Sequence, residues 1–149
     1  LIVTNKECAG NLLPDVVRRM NNRLDCEIRG WRASRYPSDL LEADIIISPK
    51  VLNNGYEMGH SEYKITLGMA QRLPVIASNQ QSYIDAFGGM QTGFICKDEY
   101  DWHNAFKLLL GSPLARQKMG DTARKCVEDK YSLEVVSKQY VDVFNMLMS

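Results

Sequence analysis

The residues of this chain best suited to chemistry stand in one short stretch, Gly59-His60-Ser61-Glu62-Tyr63-Lys64. A hydroxyl, an imidazole and, one helical turn further on, an ammonium are the parts of a site for a diphosphate-like anion. Ser61 would supply its hydroxyl and an amide at a helix start, and Lys64 would reach an anion held there. His60 adds a hydrogen bond, and a charge once a phosphate raises its pKa. The amides of Gly59, His60 and Ser61 would be the first of that helix. Plainer roles are open to each: Ser61 is a good N-cap, Lys64 a solvated helix residue and His60 a loop residue. As a cluster beside a long loop at a sheet edge, they are read as a binding site.

Hydrolytic and redox chemistry find no motif here. The sequence has no Gly-x-Ser-x-Gly elbow, no Gly-x-Gly-x-x-Gly turn, no Walker lysine and no metal cluster, and Gly88-Gly89 is an isolated pair. The four cysteines, Cys8, Cys26, Cys96 and Cys126, include no Cys-x-x-Cys pair and no His at ligand spacing, so reduced thiols in a cytoplasmic protein are expected. Arg32 and Arg35 follow the second strand in a polar loop, placed either to assist with phosphate or to be solvated. Trp102, Phe106, Leu109 and Leu110 recur at helical spacing and are assigned to the core, with His103 on the opposite, exposed face. Arg124 and Glu128 form a surface pair one turn apart.

These residues need a scaffold, and the hydrophobic pattern supplies one. Strand-length apolar runs alternate with segments of helical period, the pattern of an α/β fold with a parallel sheet. Five strands are expected: Leu1 to Thr4, Cys26 to Gly30, Asp44 to Ser48, Pro74 to Ala77 and Gly93 to Cys96. Ile45, Ile46 and Ile47 in succession mark the third as central and buried on both faces, and Pro49 stops its pairing.

Helices are expected from Leu13 to Asn22, from Pro37 through Leu40 and Leu41, from Ser61 to Arg72 and around Tyr83, Ile84 and Phe87, the last ended by Gly88 and Gly89. Three more close the chain: Tyr100 to Leu110, Pro113 to Glu128 with Ser112 as its cap, and Leu133 to Met148. On the helix from Ser61 to Arg72, Ile65, Gly68, Met69 and Ala70 face the sheet. The loop from Lys50 to His60 runs eleven residues, against about two to six for ordinary connections of this kind. It leaves the carboxyl end of a strand, the edge where open α/β sheets bind ligands.

With 149 residues, 45% hydrophobic, and 18 Lys plus Arg against 18 Asp plus Glu, one domain with its own core is expected. Zero formal net charge argues against a domain that grips nucleic acid or an anionic membrane. No apolar stretch approaches the ~20 residues of a transmembrane helix. Beginning at Leu1 within an apolar run, with no signal peptide, the chain reads as a piece of a larger protein.

The order of these features resembles the carboxyl-terminal half of GT-B glycosyltransferases of the group 1 type. The resemblance covers nearly the whole chain from about Cys26. It runs through Gly30, Leu40-Leu41, Ala43-Asp-Ile-Ile-Ile-Ser-Pro49 and Lys64-Ile-Thr-Leu-Gly-Met-Ala-Gln-Arg-Leu-Pro-Val-Ile-Ala-Ser78. It continues through Gly93-Phe-Ile95, Met119-Gly-Asp-Thr-Ala-Arg124 and Tyr131-Ser132.

That family implies a Rossmann-like three-layer domain, with a parallel sheet of about five strands and a helical C-terminal extension, holding a nucleotide-sugar donor. A separate amino-terminal domain holds the acceptor. The resemblance further implies hexosyl transfer in polysaccharide biosynthesis, with no metal and no cofactor beyond the donor substrate. Trp31 corresponds to the loop covering the base, where stacking contributes about 1–3 kcal/mol; half-buried packing is its other reading.

Two departures stand out. Retaining members carry a Glu-x7-Glu pair, and here those positions are Gly59 and Leu67, with Glu57 and Glu62 out of register. The Gly that usually precedes Leu-Pro-Val is Arg72, which a helix C-terminus is expected to accept at little cost. A subset of relatives shows Lys-Ser-x-x-Lys or Arg at this helix start, and His60-Ser-Glu-Tyr-Lys64 resembles it. A non-catalytic module for protein interaction or regulation is the other expectation, favoured by the missing carboxylates. On the closing helix Val136, Tyr140, Val143, Phe144 and Leu147 form an apolar stripe, part of which should be exposed where the absent domain would cover it, which leaves self-association through it as a further expectation.

Overall fold

A computed structural model describes residues 2–4, 28–30, 32–53 and 55–148. The expected helix from Leu13 to Asn22, Trp31, Cys8 and Cys26 lie outside the described residues. The chain divides into two compact units, Leu1–Ala43 and Asp44–Ser149.

In the first unit, β1 (Ile2–Thr4) pairs in parallel with β2 (Ile28–Gly30), Ile2 opposite Ile28 and Thr4 opposite Gly30. Helix α1 (Tyr36–Leu41) begins with Pro37 in its first turn, where a missing N–H costs nothing. Asp39, 2% exposed, accepts from Arg29 Nη1 at 3.0 Å and from Arg35 Nε at 3.1 Å. A carboxylate this buried requires such compensation. Arg35 is thereby engaged in its own helix, one turn back from Asp39, while Arg32 is exposed.

The second unit is built on a parallel sheet of β3 (Ile46–Ser48), β4 (Val75–Ser78) and β5 (Gly93–Cys96), in that spatial order. Ile47 lies opposite Ile76, which lies opposite Phe94. The buried centre of this sheet is β4, all four of whose residues are buried. The triple isoleucine strand was expected there, but β3 stands at one end of the three, and Ile47 is 54% exposed. Apolar runs report β-propensity as well as burial, and here the former accounts for them.

Between β3 and β4 come a single turn, α2 (Gly55–Met58), inside the stretch expected to be loop, and α3 (Tyr63–Ala70), shorter at both ends than expected. Ile65, Gly68 and Met69 of α3 are buried. A Cβ on Gly68 would meet Ile46 Cγ1, so the glycine lets α3 approach β3. Next come α4 (Gln81–Phe87), α5 (Glu99–Gly111), α6 (Pro113–Tyr131) and α7 (Leu133–Met148). Gly88, at φ 57°, ends α4. Asp98 caps α5 through the Asp101 amide and Ser112 caps α6 through the Ala115 amide.

One apolar cluster joins Ile65, Met69, Val75, Tyr83, Phe87 and Ala123; another joins Ile76, Cys96, Ala105 and Leu109, with Trp102 and Phe106 packed on it. His103 is exposed as expected. Leu110, assigned to the core by its spacing, is 68% exposed, because α5 turns its Ala105–Leu109 stripe inward.

Helix α3 ends in a Schellman motif. The Leu73 amide donates to the Gly68 carbonyl at 3.1 Å and the Arg72 amide to the Met69 carbonyl at 3.0 Å. Arg72 takes the left-handed position that glycine usually fills, at φ 61°. A side chain at position 72 therefore carries a backbone cost, where a helix terminus was expected to accept Arg72 at little cost.

Cations of α6 cap three preceding helices. Arg116 Nη1 donates to the Leu109 carbonyl of α5 at 2.7 Å, Arg124 Nη1 to the Ala70 carbonyl of α3 at 2.5 Å, and Lys130 Nζ to the Asp85 carbonyl of α4 at 3.0 Å. Each places positive charge at the negative end of a helix dipole.

Candidate functional site

The candidate site is assembled where the chain leaves the carboxyl ends of β3 and β4. The Lys50 amide donates to Ser78 Oγ at 2.8 Å, and the Ser48 and Tyr83 hydroxyls share a buried hydrogen bond of 2.7 Å. Further along, the His60 carbonyl accepts from Gln80 Nε2 at 2.7 Å and from Ser82 Oγ at 3.1 Å. The segment between β3 and α3 is thus fastened at both ends to residues 78–83. The Tyr56 ring meets the His60 imidazole edge-on, with centroids 4.8 Å apart.

The expected anion-binding residues fall into two groups. His60 is half-buried, and Ser61 and Lys64 are exposed at the entrance to α3. Among the described residues, Lys64 forms no ion pair. Gly59 is placed differently from expectation, because its amide donates to the Gly55 carbonyl at 3.1 Å and closes the α2 turn. Helix α3 begins two residues later than Ser61, with Glu62 at the N-cap. Its unpaired first-turn amides therefore belong to Tyr63 and Lys64 and not to Gly59, His60 and Ser61. Leu67, where the resemblance would have placed a carboxylate, is half-buried on α3.

Electrostatically the helix entrance is mixed. Glu62 offers no cap bond to its own helix; its carboxylate instead faces the Tyr131 hydroxyl of α6. Burial, followed by this neighbouring carboxylate and its hydrogen bond, pushes the Tyr131 phenol up to about 12. A negative charge thus borders the entrance, opposed by the ammonium of Lys64.

Nothing in the sequence singles out Gln80 and Ser82, which stand in a polar Ser78-Asn-Gln-Gln-Ser82 run after a strand. Its position at a strand's carboxyl end was the available signal. Cys96, whose thiol burial and then Asp101 and Asp98 push up to about 11, is unreactive by that measure. Cys126 is likewise buried and reduced, its thiol donating to the Ala86 carbonyl. A shallow cavity of about 420 Å³ between β5 and α5 is lined by Phe94, Cys96, Asp101, Asn104 and Leu108; none of the candidate residues lines it. Among the described residues, no group of three His, Cys, Asp or Glu side chains is placed to hold a metal, and no helix is long and apolar enough to cross a membrane.

No model of a known protein family matches the chain, and a search of curated proteins finds no match either.

Proposed function

We propose that this chain is the donor-binding domain of a GT-B-type glycosyltransferase, a Rossmann-like domain with a parallel sheet of about five strands that holds a nucleoside-diphosphate sugar. The acceptor would sit on a separate amino-terminal domain. The observation that carries the reading is the placement of His60, Ser61 and Lys64 at the entrance to α3, at the far end of the segment that leaves the carboxyl edge of the parallel strand β3. There Lys64, the Ser61 hydroxyl and the first amides of α3 supply positive potential to a departing diphosphate. Such stabilisation calls for no metal, and the nucleotide sugar is substrate and not cofactor. Trp31 belongs to this proposal as the residue stacking on the base.

Calorimetric titration with uridine and guanosine diphosphates tests it. One of the two should bind, and Lys64→Ala should weaken that binding by about 1.5–3 kcal/mol, the usual worth of a charge-assisted contact. Absence of binding at millimolar nucleotide overturns the reading.

A second reading, a non-catalytic module for protein interaction, is favoured by α7. No residue of that helix is buried, and Tyr140, Val143, Phe144 and Leu147 all face solvent.

A further inference from the structure

We propose that Gln80, assisted by Ser82, is a positioning residue that sets the conformation of the chain entering α3 by clasping the carbonyl oxygen of His60. For its ligand this rests on the donor-binding reading; the clasp itself does not.

Gln80 is the N-cap residue of α4, with φ −105° and ψ 140°. Its backbone carbonyl begins that helix by accepting from the Tyr83 and Ile84 amides at 3.0 and 3.1 Å. An N-cap side chain ordinarily turns back to an amide of its own first turn. Gln80 makes no such bond, and its amide nitrogen reaches twenty residues back in sequence, to His60. The side chain does this at 1% exposure, where a donor deprived of its acceptor is costly.

Ser82, in the same first turn, takes the second lone pair of the same oxygen. Both donors stand on a helix anchored in the core by buried Tyr83, Ala86 and Phe87. They are a rigid base acting on one peptide group immediately before Ser61. Opening the clasp would let that peptide rotate and would carry Ser61 and the α3 entrance away from the arrangement that collects positive potential.

Amide exchange of the whole chain tests this without any ligand, using Gln80→Ala, Ser82→Ala, the double variant and Gln80→Glu. The double variant should exchange at least about tenfold faster at the Gly59, Ile65 and Thr66 amides, which bond to the Gly55 and Glu62 carbonyls on either side of the clasp, with β4 and β5 as protected as before. Unchanged protection of Gly59, Ile65 and Thr66, or an equal loss in β4 and β5, overturns the proposal.

Gln80→Glu separates positioning from packing. A protonated carboxyl can donate to the His60 oxygen and an ionised one cannot. Burial at a site 1% exposed raises a carboxyl above its ordinary value of about 4.3. Protection of Gly59, Ile65 and Thr66, corrected for intrinsic rates, should therefore be near normal at about pH 5 and low at about pH 8. The parent chain, carrying the same His60 and Glu62, is the control. A pH profile matching the control counts against the clasp.

If the parent binds uridine or guanosine diphosphate, the double variant should lose about tenfold in affinity although Lys64 is intact. If the parent binds neither, the donor-binding reading fails while the exchange data still decide the clasp.

Discussion

Arg124 Nη1 donates to the Ala70 carbonyl oxygen at 2.5 Å, while its Nε holds Glu128 at 2.6 Å. One guanidinium thus joins two roles: a surface pair within α6, and the cap of the helix whose entrance carries the candidate site. Arg124→Met keeps the aliphatic stem and removes both bonds. We expect a loss of about 1–2 kcal/mol in chemical denaturation, the lower part of the range for charged hydrogen bonds because the side chain is partly exposed. Glu128→Gln, which touches only the surface pair, should cost under ~1 kcal/mol. Equal effects of the two would show that the bond to Ala70 contributes nothing.

The left-handed backbone at Arg72 yields a paired comparison. Arg72→Gly and Arg72→Ala both remove the exposed ion pair with Asp121, so its contribution cancels between them. Glycine occupies the left-handed region freely, whereas alanine retains the clash of its Cβ. The glycine variant should be the more stable by about 1 kcal/mol, read from denaturant midpoints at constant slope. An alanine variant of equal or greater stability would mean that the φ of 61° does not describe this residue in solution.

At Gly68 the close approach of α3 to β3 can be measured through coupling. A methyl there would meet Ile46 Cγ1, and Gly68→Ala should cost about 1–3 kcal/mol by overpacking. In an Ile46→Ala background only the Cβ remains close, at 3.2 Å, and the same change should cost far less. A double-mutant cycle with no interaction energy would refute the packing of these two elements.

Much of this architecture can be read without coordinates. Ser112 before Pro113, Gly88 after Phe87 and the spacing of Trp102, Phe106 and Leu109 are local signals, and the helices lie where those signals put them. Three features resist such reading. The start of α3 falls at Tyr63 because Glu62, not the better capping residue Ser61, occupies the N-cap, a choice made by the fastening of His60 to the α4 turn. Arg72 hides a left-handed position that glycine would have announced. Arg116, Arg124 and Lys130 look like surface charges on one helix, and their partners are carbonyls 7 to 54 residues away. Sequence periodicity reports which face is buried; it is silent about which distant peptide group a polar side chain will find.

Alkaline titration should expose two buried groups. The Cys96 thiol is raised from 9.0 to about 11 and the Tyr131 phenol from 10.0 to about 12, in both cases chiefly by burial. Each is neutral while protonated, and the folded chain holds the proton more tightly than the unfolded one. Stability is therefore fully present below pH 9 and is lost as pH rises through about 9 to 12. For Cys96 the loss is of order 1–3 kcal/mol. Cys96→Ala should flatten the fall between about pH 9 and 11, and Tyr131→Phe the fall between about pH 10 and 12. Midpoints that decline equally in all three proteins would assign the alkaline transition to other groups.

The last helix should be the least protected of the long ones. Ser132 caps α7 through the Val135 amide at 3.3 Å, and Val135 and Val136 are half-buried at its start. From Ser137 to Met148 every residue is exposed, including Phe144 at 58% and Leu147 at 78%. A 16-residue helix without a buried face is marginal on propensity alone, so its amides should open by fraying from the Met148 end and not through global unfolding. We expect exchange in residues 140–148 at least about a hundredfold faster than in β4, with protection rising toward Val135. Independence from protein concentration would place this behaviour in the single chain. Slowing at high concentration would instead show a second copy covering the apolar side, and light scattering would then report a dimer. Protection equal to that of β4 at every concentration would contradict the exposure of α7 altogether.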